Sequence, residues 1–176
     1  MEKGGAGGFA ENIISYKISP NPSLPKWGIT RRYMPMIRKI VVAFDGSEQS
    51  RKAFDFTLEL TKLCPDAAPE IIVISVAQPP EPIDIVEMDA VIDSATQHYE
   101  ELFKELKDKA KERHIEIKTE VIVGHPAEQI VRYAKENNCD QIIMGQKGKS
   151  KIENWLLGSI SKRVSTYAPC TVTIVK

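Results

Sequence analysis

At 176 residues the chain is long enough for one domain with its own core and a tail besides. Its 24 basic and 24 acidic residues cancel, which speaks against general nucleic-acid binding, an activity that wants a basic excess. Three scattered cysteines (Cys64, Cys139, Cys170) without C-x-x-C, three histidines without H-x-x-x-H, and no apolar run near the roughly 18 residues of a membrane span point to a reduced cytoplasmic protein, with no metal-ligand spacing and no signal-peptide core ahead of the domain.

Residues 1–36 differ from the rest. A glycine-rich start and the proline-rich SPNPSLP carry neither helix nor strand period, so this stretch reads as a flexible or loosely docked extension, with the domain proper at 37–176. The domain opens with the continuously apolar Ile40 to Phe44, as a central parallel strand covered on both faces requires. Asp45-Gly46-Ser47 follows, with Ser47 placed to cap a helix whose apolar face is expected at Ala53, Phe56, Leu60 and Leu63. Glu70 to Ala77 is a second continuous strand, and Pro79, Pro80 and Pro82 open a loop to about Asp89. A long helix is predicted from about Val91 to Arg113, with Ala95, Tyr99, Leu102, Leu106 and Ala110 on one face and a solvated charged face carrying pairs such as Glu105–Lys109. The alternation Ile115, Ile117, Thr119, Val121, Val123 suits an edge strand. Gly124-His125-Pro126 turns into a helix with Ala127, Ile130, Val131 and Ala134. Asp140 to Met144 is the fourth strand, 158 to about 167 the last helix, and Cys170 to Val175 the fifth strand. Five strand–helix units imply right-handed crossovers and an open, doubly wound parallel α/β sheet.

The segment that organises the chain is DQIIMGQKGKSKIENWLLGSIS, 140–161. Gly145 and Gly148 after a strand permit a sharp turn and close approach to the backbone. Gly158-Ser159 stands where a helix begins, so free N–H groups and the helix dipole favour an anion there, with Ser159 and Ser161 adding hydroxyls. Gly145 to Ser150 looks like a P-loop tail, but the glycine that motif needs five residues before Gly148 is Ile143. No G-x-G-x-x-G fingerprint occurs. Lys147, Lys149 and Lys151 lie on the intervening loop, read either as lysines that reach phosphates or as simply exposed ones, and no role is assigned to them; Trp155, Leu156 and Leu157 are expected to anchor the loop against the domain or a second subunit.

The spacing G-x2-G-x9-G-S (Gly145, Gly148, Gly158, Ser159) resembles the ATP-binding signature of the universal stress protein family. The resemblance extends to VVAFDGSEQSRKAF, VGHPAEQIVRYAKE and APCTVTIVK, and so spans about 37–176. It implies a Rossmann-like sheet of strand order 3-2-1-4-5, with the switch between the first and fourth strands, where ligands of such sheets bind. The implied nucleotide site comprises Ala43, Asp45, Val76, Met144, Gly145, Gly148, Gly158, Ser159, Ile160 and Ser161. By itself Asp45 reads equally as a nucleotide-contacting carboxylate or a turn aspartate beside Gly46, and Ala43 and Val76 equally as base contacts or core.

The expected function is that of an ATP-binding stress-response sensor or switch, with Mg²⁺ or Mn²⁺ carried by the phosphates rather than by a protein cage. A slow ATPase or adenylate-transferring enzyme is the competing enzymatic reading, disfavoured because no Walker lysine, acid–base pair or transition-state arginine can be named. No catalytic role is assigned to His98, His114 or His125. A nucleotide-free dimeric adaptor is the third reading. A homodimer is expected through the strand from Cys170 to Val175, an uninterrupted apolar edge. The resemblance implies dimerisation through the same strand.

Overall fold

The computed structural model describes residues 13–17, 37–62, 68–79, 85–148 and 157–176, giving only the backbone of 13–17 and 85–87. The elements are β1 (Ile13–Lys17), β2 (Lys39–Ala43), α1 (Glu48–Thr61), β3 (Glu70–Ala77), α2 (Ile85–Lys111), β4 (Ile117–Val123), α3 (Pro126–Glu136), β5 (Gln141–Gly145), α4 (Ser159–Tyr167) and β6 (Thr171–Val175). They build one six-stranded sheet ordered β1-β6-β5-β2-β3-β4. From β6 to β4 every pairing is parallel, and these five strands have the predicted 3-2-1-4-5 order. β1 is additional and pairs antiparallel with β6.

Strand alternation sorts the apolar residues into two cores. Val41, Ala43, Ile142 and Met144 face α3 and α4, while Ile40, Val42 and Ile143 face α1 and α2. Because β2, β3 and β5 are covered on both faces, their sequences are continuously apolar. β4, at the sheet's edge, alternates half-buried and exposed residues, as its sequence pattern predicts.

Four expectations need correction. The strand from Cys170 to Val175 is not the open edge of the sheet, because β1 lies beside it. Helix α1 buries Ala53, Phe54, Leu58 and two threonines, whereas Phe56 and Leu60 lie at the margin and Leu63 is outside the described residues. The face is turned because Thr57 and Thr61 can be buried, their hydroxyls donating to the carbonyls of Ala53 and Leu58 at 2.8 and 2.7 Å. Helix α2 starts at Ile85, before the predicted Val91; Asp89, Ala90 and Val91 are exposed, so these three residues do not extend the apolar face that the prediction followed. The expected Glu105–Lys109 pair gives way to bridges between helices. Arg51, Asp55 and Glu59 on α1 meet Glu105, Lys109 and Arg113 in a ladder of solvated ion pairs, each worth little by itself.

Candidate functional site

Three local devices shape the carboxyl end of the sheet around β2. Phe44 N–H donates to the Ile74 carbonyl at 2.9 Å, and the buried Ser75 hydroxyl donates to the Phe44 carbonyl at 2.8 Å. These bonds hold the end of β2 to β3. The chain then turns through Gly46, whose φ of +81° is a conformation other residues resist. Ser47 caps α1 as expected, its hydroxyl accepting from Ser50 N–H at 3.2 Å. Asp45 is locked into this turn because its Oδ1 accepts the Ser47 N–H at 3.0 Å.

On the other side, β5 runs in register with β2, Met144 opposite Ala43. A Cβ on Gly145 would stand 2.8 Å from the carbonyl carbon of Gln49, so this glycine is required by the close packing of β5 on the first turn of α1. Gly148 has a different reason: a Cβ there would lie 2.4 Å from Oδ2 of Asp45. It does not have a positive φ.

Helix α4 is tied back onto this loop. Gly158 N–H donates to the Gln146 carbonyl at 3.0 Å, and the buried Ser161 hydroxyl reaches the carbonyls of Gly145 and Gln146 at 3.0 and 3.1 Å. Gly158 N–H is therefore not available to an anion, and the Ser161 hydroxyl proton is committed to the loop. What remains is the first turn itself. The N–H groups of Ser159, Ile160 and Ser161 have no acceptor within the helix, by the geometry of any helix start.

Beyond the carboxyl ends of β2, β3 and β5 these parts enclose a cleft with about 630 Å³ of free space, its open mouth included. Of the residues singled out from sequence, Ala43, Asp45, Val76, Met144, Gly145, Gly148, Ile160 and Ser161 line it; Gly158 and Ser159 do not. Sequence reasoning missed Phe44, Ser50, Ile74, Tyr99, Pro126 and Ile130, and left Lys147 unassigned although it lines the cleft. Tyr99 and Ile130 read as core by helical period, and both do face inward; only the topology shows that inward here means the cleft. Pro126 lay inside a quoted motif but offers no side-chain chemistry to notice. Burial, and secondarily the charge of Asp45, raise the Tyr99 hydroxyl above its ordinary pKa.

The cleft thus has an apolar floor (Ala43, Ile74, Val76, Ile130, Met144), one carboxylate and the amino end of a helix. Such a set can take a flat apolar ring at one end and an anion at the other. Lys149, Lys151, Trp155 and Leu156 lie outside the described residues, while Leu157 packs against the core facing α3 and α4. Among the described residues no group of three or more His, Cys, Asp or Glu could hold a metal ion, and no helix is long and apolar enough to cross a membrane.

The model of the universal stress protein family matches residues 36–176. Universal stress protein MJ0531 of Methanocaldococcus jannaschii is 32% identical over 152 residues, covering 84% of this chain and 87% of the relative. Among solved structures, hypothetical protein MJ0577, the subject of a structure-based assignment of biochemical function, superposes with a TM-score of 0.72 at 27% identity, covering 80% of this chain and 96% of that one. The universal stress protein from Archaeoglobus fulgidus in complex with dAMP superposes with a TM-score of 0.58 at 20% identity, covering 80% and 100%.

Proposed function

This chain belongs to the universal stress protein family, and on that premise we propose that it binds an adenine nucleotide, ATP with Mg²⁺ or Mn²⁺, in the cleft between β2 and β5 and acts as a nucleotide-dependent switch in a stress response. One observation carries the reading: an apolar slot, a fixed carboxylate and a helix amino end converge on one cleft at the switch point of the sheet. The structural relative holding dAMP supports the choice of adenine.

In this reading the base lies on Ala43, Val76, Ile130 and Met144, and the phosphates approach Gly148 and the first turn of α4. Asp45 would meet the ribose hydroxyls or a cation. Its carboxylate stands against Gly148, where phosphates would pass, and two unit charges 4 Å apart repel by about 4 kcal/mol at a near-surface dielectric. A divalent cation between them reverses that sign, so the metal would be held jointly by phosphates and Asp45. The homodimer through the strand from Cys170 to Val175 is proposed only for a state in which β1 has left that strand. Residues 37–176 are proposed as the folding domain and residues 1–36 as an extension that lends β1 to its sheet.

Native mass spectrometry with equimolar ATP, dAMP and GTP in the presence of Mg²⁺ tests the assignment. One adenine nucleotide per chain, preferred over GTP, is expected. Equal retention of GTP, or no retained nucleotide, contradicts it.

A further inference from the structure

Helix α2 is anchored over only half its length. Its buried residues Phe103, Leu106 and Ala110 lie after Leu102, and nothing from Met88 to Leu102 is buried. Met88, Ile92 and Ala95 recur at steps of four and three and are half-buried, yet among the described residues they join neither core. The same stretch is one-sided in charge. From Glu81 to Glu101 the sequence has seven acidic residues and neither lysine nor arginine. Asp89 and Asp93, which flank the apolar stripe, are exposed, as is Val91. The first half of α2 is an acidic amphipathic helix with an unfinished apolar face.

A surface of the opposite character lies across the sheet. Helices α3 and α4 pack side by side, and between them runs a groove with about 720 Å³ of free space, its open side included. Ala127, Val131 and the ring of Tyr167 form its apolar part, and Tyr167 is 68% exposed. Arg132, Lys135 and Arg163 line it against a single carboxylate, Glu128. Arg163 meets Glu128 at 3.4 Å and Arg132 meets Glu136 at 3.9 Å. Both are solvated pairs worth little, so either guanidinium can turn to an incoming carboxylate. An exposed tyrosine among arginines is the composition of interface hot spots.

We infer that the groove between α3 and α4 is a docking site for the acidic first half of α2 from a second copy of this chain. A copy's own α2 cannot fill it, because the sheet stands between: α3 and α4 pack on one face and α2 on the other. An amphipathic helix lays its apolar stripe into an apolar groove, and here its carboxylates meet the three cations of the rim. The contact is heterologous, helix of one copy to groove of the next, so every added copy leaves a helix and a groove for further growth. It uses neither edge of the sheet and forms with β1 in place on β6.

The test is sedimentation of the full chain and of two charge-reversed variants, Lys135→Glu/Arg163→Glu in the groove and Asp89→Lys/Asp93→Lys on the helix. All four positions are exposed, so both variants should keep the fold. At tens of micromolar and low salt, the wild-type average mass should rise with concentration above the 19.7 kDa of one chain. It should return to that value in about 1 M salt, where screening shortens to about 3 Å. Each variant alone should associate at least about tenfold more weakly. An equimolar mixture of the two should recover wild-type association to within about threefold, because reversed helix then meets reversed groove and native helix meets native groove. A monomeric wild type overturns the inference, as does association that either variant leaves unchanged or that the mixture fails to restore. Should a charge-reversed variant lose its fold, Tyr167→Ala decides: association at least about tenfold weaker is expected, and unchanged association refutes the groove.

Discussion

The carboxylate of Asp45 lies so close to the backbone of Gly148 that a Cβ on that glycine would fall 2.4 Å from Oδ2. One residue comes from the end of β2 and the other from the loop after β5, and they meet across the switch point. The glycine is therefore needed for space beside a charged group, whereas Gly145 is needed for space beside the backbone of α1. This difference separates two substitutions that look alike on paper. Gly145→Ala drives a methyl into rigid backbone and should cost about 1–3 kcal/mol, the usual range for overpacking. Gly148→Ala pushes the Asp45 carboxylate off its bond from the Ser47 N–H, so it should cost less than Gly145→Ala, about 0.5–1.5 kcal/mol, while lowering nucleotide affinity at least about tenfold. Thermal melts and titrations of both variants check the contrast. Equal melting losses would remove it.

Asp45 provides the second prediction. Asp45→Ala should weaken ATP–Mg²⁺ binding by about 1–3 kcal/mol, the range for losing a charged hydrogen-bond acceptor. Asp45→Asn keeps an oxygen for the Ser47 N–H but removes the charge facing Gly148. ATP should then bind nearly as well without Mg²⁺ as with it, whereas the wild type should need the ion. Affinities measured with and without EDTA decide this, and an unchanged metal requirement in the Asn variant would count against a shared cation.

Ser161 and Ser159 should behave differently from each other. Ser161→Ala removes a buried hydroxyl that clips α4 to the Gly145 and Gln146 carbonyls, and should cost about 1–2 kcal/mol of stability. Ser159 is exposed at the start of α4, so its alanine variant should melt within about 0.5 kcal/mol of wild type. Chemical denaturation of the pair measures both. Equal losses would mean that Ser161 does not act as the clip.

Alkaline pH should destabilise the fold. Burial raises the Cys139 thiol from the ordinary 9.0 to about 11 and the Cys170 thiol to about 12. It raises the Tyr99 and Tyr133 hydroxyls too, with Asp45 adding to the first and the Glu120 hydrogen bond to the second. Each group holds its proton more tightly folded than unfolded. The stability they contribute is full below about pH 9 and falls as pH rises toward their folded values, because the unfolded chain ionises first. Melting temperature should hold from pH 8 to about 9 and decline steadily from there to 10.5, less steeply in Cys139→Ala; a flat profile would contradict the thiol burial.

Much of this was legible in sequence, because the two-sided burial of β2, β3 and β5 requires the unbroken apolar runs that mark them. Gly145 and Gly148 stand out in the sequence by their spacing and Ser161 as a hydroxyl at a helix start, yet the contacts that explain the glycines do not, since a contact with Gln49 or Asp45 exists only after the strands are laid side by side. Tyr99 was hidden for the opposite reason: a residue on the inward face of a helix reads as core whether it meets another side chain or a cleft. The turned face of α1 escaped because Thr57 and Thr61 counted as polar, although their hydroxyls are satisfied within the helix. β1 was not predicted because its five residues sit between the glycine-rich start and the proline-rich SPNPSLP.

Calorimetric titration of nucleotide-stripped protein with ATP and Mg²⁺ tests the central claim most directly. Micromolar binding with one site per chain is expected, worth about 8 kcal/mol, which an adenine slot and backbone donors can supply without a lysine clamp. Gly148→Val should abolish it, since a branched side chain would fill the space between the loop and the Asp45 carboxylate. A titration silent by calorimetry and by a second method, or binding that survives Gly148→Val unchanged, would contradict the account.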